Sequence, residues 1–274
     1  MPLPVRLSGA IALALALAAS LCGPSHAQTA AELAVLYRTQ VRQRLDVPPE
    51  EARRYAALAE QALQRAGLVL DRPQYLLVVD RDPRVQALLL FWRPLQGEYQ
   101  WLGASPVSTG KPGSFDHFET PVGVFDHTPL NPDFRAEGTL NDRGIRGYGE
   151  KGMRVYDFGW QRVAKGWGDH AVSDMRLQMH ATDPDLLEQR LGGAQSKGCI
   201  RIPATLNTLL DHYGVLDAAY DSALQDGRKL WVLAQREPVE HAGRYLVVVD
   251  TQRRQRPDWS PSSLAPRRPA APKR

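Results

Sequence analysis

Two side chains capable of covalent chemistry fall close together in this chain. His180 lies in Met179-His180-Ala181-Thr182, and Cys199 in Gln195-Ser196-Lys197-Gly198-Cys199-Ile200-Arg201, with Gly192 and Gly193 between them. The other cysteine, Cys22, falls in a segment that reads as an export signal, so Cys199 is the single thiol expected in the processed protein. A thiol nucleophile needs a base to take its proton and fixed donors to receive the oxyanion it generates. His180 offers the base, and the backbone around Gly198 offers the donors. A buried structural cysteine beside a satisfied core histidine would leave the same letters, so the residue types alone leave both readings open.

The wider pattern is more specific. His180-Ala181-Thr182, the glycine pair and Ser196-Lys197-Gly198-Cys199-Ile200-Arg201 resemble the active-site signature of the L,D-transpeptidase catalytic domain, the YkuD-like family. That signature runs His-Gly-Thr, a spacer, then Ser-His-Gly-Cys, a hydrophobic residue and Arg or Asn. Pro106-Val107-Ser108-Thr109-Gly110-Lys111-Pro112-Gly113 and Thr120-Pro121-Val122-Gly123-Val124-Phe125 resemble further sections of the same family. The likeness covers roughly residues 74–234.

The resemblance implies a mainly β fold with some helix, a sandwich- or barrel-like catalytic domain, and a cysteine enzyme acting on peptidoglycan stem peptides without a cofactor or metal. It implies Cys199 as nucleophile and site of an acyl-thioester, and His180 as proton acceptor and donor. The Ala181 carbonyl would orient His180, and the backbone N–H groups of Lys197, Gly198 and Cys199 would bind the oxyanion. Arg201 would grip a stem-peptide carboxylate or form a structural ion pair. Ser196, Tyr148 and Trp167 are further candidate substrate contacts, with Ser196 also suited to shaping the loop. An amine acceptor would give cross-linking or protein attachment. Water would give an amide hydrolase on the same scaffold, and a non-catalytic wall-binding protein is the alternative from another class. Two positions depart from the family: Ala181 replaces Gly, and Lys197 replaces His. The Lys197 ammonium would lower the thiol pKa and attract an acidic substrate, or else lie in solvent.

The elements that position these residues follow from the chain in order. Residues 1–27 carry Arg6, an apolar run from Ile11 to Leu21 and a small-x-small site at Ser25-His26-Ala27, which together read as a cleaved secretory signal. The processed protein is therefore expected in the periplasm, free of the membrane. Residues 28–70 read as a small helical hairpin, with Leu33, Leu36 and Tyr37 on one helix and Pro48-Pro49-Glu50-Glu51 starting the next. Strands are expected at Tyr75 to Asp80, Val85 to Trp92, Trp101 to Val107, Val122 to His127, Arg176 to His180, Lys229 to Ala234 and Tyr245 to Asp250.

Residues 129–170 show little periodicity and read as a long irregular lid. Its Tyr148, Tyr156, Trp160 and Trp167 either anchor the loop or pack on sugar rings or peptide stems. A helix after Pro203 would bring its N-terminus behind Cys199 and favour the thiolate. The catalytic domain is expected over 74–236 and a strand extension over 237–254, with a disordered Pro/Arg-rich tail over 255–274. The net charge of +4 owes much to that tail, and no zinc-type spacing, phosphate-binding glycine loop or RNA-binding signature occurs. A nucleic-acid partner is not expected, and composition leaves the oligomeric state open.

Overall fold

The computed structural model describes residues 28–233 and 236–261. The expected export signal lies outside the described residues, as do residues 234, 235 and 262–274.

The longest apolar runs form strands covered on both faces, which is why they read as continuous rather than alternating. Strands β1 (Gln74–Asp80), β2 (Ala87–Arg93), β3 (Gln100–Pro106), β4 (Gly123–Asp126) and β9 (Tyr245–Val249) make one five-stranded sheet in the order β3-β2-β1-β9-β4. Leu77, Val79, Leu88 and Leu246 enter one apolar cluster, while Leu76, Val78, Leu89 and Val247 enter a second on the other face. Helix α1 (Ala30–Gln40) adds Leu33, Ala34 and Tyr37 to the first cluster, and α2 (Pro49–Arg65) adds Tyr55, Ala59 and Leu63 to the second. The two helices therefore cover opposite faces of the sheet and do not form the expected hairpin. A sheet that is apolar on both sides needs cover on both, and each helix buries a single stripe.

Strand β9 pairs in parallel with β1, Leu77 opposite Leu246. Residues 237–254, expected as an extension beyond the domain, thus supply an inner strand. The sequences of β1 and β9 echo each other with Leu76 matching Leu246, one residue off the observed pairing. The echo is the composition of a doubly buried strand rather than a structural repeat.

The second sheet runs β5 (Phe134–Arg135), β6 (Arg154–Ala164), β7 (Val172–Ala181), β8 (Ile200–Ile202). Met175, Leu177, Met179, Ile200 and Ile202 enter the same cluster as Leu77 and Val79, so the two sheets share a core. Helix α3 (Ala204–His212) adds Leu206, Leu209 and Leu210 to it, and α4 (Ala218–Gln225) follows. The architecture is mixed α/β and rich in strand, with two open mixed sheets and few helices.

Three further expectations need correction. About a quarter of the supposed lid is the eleven-residue strand β6, whose alternation is masked by a bulge between Asp157 and Trp160 and by buried Arg154 and Asp157; most of the remainder is irregular, as expected. Residues 229–233 form turn and coil instead of a strand; Trp231 is 70% exposed and only Val232 is buried. Residues 255–261 are packed rather than disordered. Trp259 meets Tyr55 edge-on at 5.9 Å, and Ser260 Oγ donates to the Arg84 carbonyl at 2.9 Å.

A buried ionic cluster ties β5 and β6 to the segments around α3 and α4. The Arg154 guanidinium, fully buried, donates to Asp133 at 2.6 Å and to both oxygens of Asp217 at 2.9 and 2.7 Å. His127 places Nε2 2.9 Å from Asp133 and Nδ1 2.8 Å from the Leu216 carbonyl. Arg236 reaches Asp217 at 2.6 Å and Asp221 at 2.8 Å.

Candidate active site

Strands β7 and β8 run parallel, with Met179 opposite Ile200, His180 opposite Arg201 and Ala181 opposite Ile202. Side chains alternate along each strand. Because Leu177, Met179, Ile200 and Ile202 face the core, Arg176, Gln178, His180, Cys199 and Arg201 share the opposite face. Cys199 stands at the level of Gln178, one residue before β8 begins.

His180 is 4% exposed, and its Nδ1 lies 2.7 Å from the Ala181 carbonyl oxygen. A carbonyl only accepts, so Nδ1 carries the proton and Nε2 of the neutral ring holds a free lone pair. Burial lowers the His180 pKa, the Ala181 carbonyl opposes this, and the Arg201 charge lowers it further, to about 4. The Tyr148 ring meets the imidazole edge-on at 4.6 Å, and its hydroxyl donates to Gln178 Oε1 at 3.4 Å.

Cys199 is half-buried, with Sγ 4.0 Å from the Arg176 carbonyl oxygen. Burial pushes its pKa up, against the Gln178 backbone N–H and the Arg201 charge. The resting pair is thus a neutral thiol and a neutral imidazole, and among the described residues no hydrogen bond joins them. Neither expected thiolate-stabilising charge is at the sulfur. Helix α3 begins only at Ala204, after the three residues of β8, about 10 Å of extended chain. The Lys197 ammonium lies in a surface ion pair with Asp116 at 2.7 Å.

The loop before Cys199 is held by the two upstream sequence blocks. Ser108 exchanges backbone hydrogen bonds with Arg201 at 3.0 and 2.9 Å, Lys111 N–H donates to the Ser196 carbonyl at 3.0 Å, and Phe118 N–H to the Lys197 carbonyl at 3.0 Å. Thr120 Oγ1 accepts from Gly110 N–H at 2.9 Å and donates to the Gly198 carbonyl at 2.7 Å. A Cβ on Gly110 would come within 2.1 Å of the Phe118 carbonyl oxygen, and Gly198 has φ of +134°, so both positions require glycine.

Ser196 is 1% exposed; its hydroxyl donates to the Cys199 carbonyl at 2.5 Å and accepts from Gly198 N–H at 3.1 Å. It shapes the loop and is out of a substrate's reach. The same contact occupies the Gly198 N–H expected to face an oxyanion.

The Arg201 guanidinium, by contrast, has no ion pair or hydrogen bond among the described residues, although burial and the neighbouring Cys199 both act on it. The expected structural salt bridge is absent there. Trp167 packs edge-on against Phe118 at 4.8 Å and Phe115 at 5.6 Å, on the Lys111–Phe118 loop. It anchors that loop. Sequence reasoning missed Asp157, which is buried and accepts from Arg176 Nε at 2.7 Å and Gln178 Nε2 at 2.9 Å. Period-two alternation around Arg176 was the one signal that could have placed Arg176 and Gln178 beside His180. Among the described residues no three His, Cys, Asp or Glu side chains converge to hold a metal ion, and no helix is long and apolar enough to cross a membrane. No family model matches the chain, and no curated protein matches it either.

Proposed function

We propose that this protein is an exported L,D-transpeptidase-like cysteine enzyme that acts on peptidoglycan stem peptides in the periplasm. The observation that carries the proposal is the shared face of β7 and β8. There a tautomer-fixed neutral imidazole, the single cysteine of the described residues and an unpaired guanidinium stand together. Support also comes from the convergence of the three sequence blocks on the Cys199 loop and from the strand-rich two-sheet fold.

In the proposed reaction the thiol leaves the Arg176 carbonyl by rotation about Cα–Cβ and passes its proton to His180 Nε2. The thiolate attacks the carbonyl of the diamino residue of a stem peptide, in the amide that joins it to the terminal residue. Backbone N–H groups of Lys197 and Cys199 are the proposed oxyanion donors, a role worth about 3 kcal/mol for one donor in comparable enzymes. The C–N bond then breaks, the leaving amine takes the proton from His180, and a thioester remains on Cys199. An acceptor amine attacks that thioester, loses its proton to Nε2 and returns sulfur as the thiol. Arg201, unpaired beside His180, holds a substrate carboxylate.

Intact-mass analysis of the processed protein mixed with a tetrapeptide muropeptide tests this. Wild type is expected to gain the mass of the acyl stem, with cross-linked dimers among the products, and Cys199→Ala to gain nothing. Shortened stems without dimers would assign the hydrolase. Absence of both adduct and product would refute peptidoglycan as substrate.

A further inference from the structure

Trp160, just past the β6 bulge, is 65% exposed although it lies within a strand. It pairs with Arg176 across β6 and β7, which puts it on the face that carries His180 and Cys199. The Arg176 guanidinium lies 5.8 Å from the Trp160 ring centroid and is itself held at 2.7 Å by buried Asp157. One side of the indole is thereby backed by an immobilised cation, and the exposed remainder is a rigid, apolar, flat surface.

From this geometry we infer that Trp160, backed by Arg176, is a sugar subsite that takes the amino-sugar ring to which the stem peptide is attached. The inference rests on the peptidoglycan reading above and deepens it. The indole stands two strands across and two residues along from Cys199, about 12 Å at the usual strand spacing and rise. In a stem cleaved after its third residue, three residues separate the scissile carbonyl from the sugar, about 10 Å of extended chain, and the group that links the stem to the sugar adds the remaining reach. A stem laid across β7 with its carbonyl at Sγ thus delivers the sugar to Trp160. The C–H face of a pyranose matches an indole face, and Arg176 fixes the indole so that little rotamer freedom is lost on binding.

The test uses the processed protein carrying Cys199→Ala, which binds without turnover. The chain has six tryptophans, so Trp160→Phe identifies the Trp160 indole N–H signal in a nitrogen-15 spectrum. Two probes are titrated, the disaccharide tetrapeptide and the free tetrapeptide. The disaccharide form should move the Trp160 signal and bind about tenfold more tightly, the size of one aromatic stacking contact. In Trp160→Ala the difference between probes should fall below twofold. Equal affinities with an unmoved Trp160 signal would overturn the sugar subsite and leave the peptide reading standing. Binding of neither probe would overturn both.

Discussion

Two histidines, both buried in the same sheet-rich core, are held in opposite charge states. His127 has an acceptor at each ring nitrogen, Asp133 at Nε2 and the Leu216 carbonyl at Nδ1, so both nitrogens must donate and the ring is an imidazolium. Burial works against that charge, but Asp133 outweighs it and the pKa is raised. His180 has an acceptor at Nδ1 alone, with Arg201 nearby, and its pKa falls to about 4. Burial is common to both, so the partners decide. The histidine in the ionic cluster is fully engaged and holds the fold. The one on the β7–β8 face keeps a lone pair free for proton transfer.

The contrast breaks most visibly at Asp133. Asp133→Ala leaves His127 and Arg154 facing each other without that counter-charge, and loss of one partner in such a buried network costs about 3–5 kcal/mol. Urea unfolding is expected to show that loss, or a protein too unstable to purify. A change under 1 kcal/mol would mean the cluster is not ionised as described.

The pH dependence of stability separates the two rings. The raised folded pKa of His127 means its contribution is complete below the ordinary value of 6.5 and is lost as pH rises through the folded value. For His180, folded near 4 against 6.5 unfolded, the contribution is complete above 6.5 and is lost as pH falls toward 4, about 3 kcal/mol in all. His180→Gln should flatten the acid limb between pH 6.5 and 4, and His127→Gln the limb above 6.5. Urea midpoints across pH for the three proteins check both.

Smaller effects are expected at the two cations flanking the loop. Arg201→Gln should weaken binding of a free-carboxylate tetrapeptide to Cys199→Ala protein by about 10- to 100-fold, the range of a charged hydrogen bond. Calorimetry against the tetrapeptide amide, which should lose less, isolates the carboxylate. Lys197→Ala should change stability by less than about 1 kcal/mol, because its pair with Asp116 is exposed on both sides. It should also leave the pH midpoint of Cys199 alkylation unmoved; a midpoint shifted upward would return Lys197 to the role expected from its sequence position.

What was legible in the sequence follows a physical division. β1, β2 and β9 stood out because a strand buried on both faces is an unbroken apolar run. Cys199 and His180 stood out by residue type and by the blocks around them, and the Ala181 carbonyl indeed lies on Nδ1. β6 was hidden because Arg154 and Asp157 are buried through partners distant in sequence, such as Asp217 and Arg176, and because its bulge interrupts the alternation. The pairing of Lys197 with Asp116, and the engagement of Gly198 N–H by Ser196, depend on loop conformation that no periodicity encodes. The placement of α1 and α2 on opposite faces was equally hidden, since an amphipathic stripe shows that a helix is covered but not what covers it.

The most direct measurement is nitrogen-15 and proton correlation of the imidazole rings across pH 3 to 9, with His127→Gln and His180→Gln to assign the two signals. His180 is expected to stay neutral with its proton on Nδ1 down to about pH 4, while His127, held between Asp133 and the Leu216 carbonyl, keeps both ring protons to higher pH than a free imidazole. A His180 that titrates near 6.5, or that carries its proton on Nε2, would contradict this account, because no lone pair would then be fixed in place to receive the Cys199 proton.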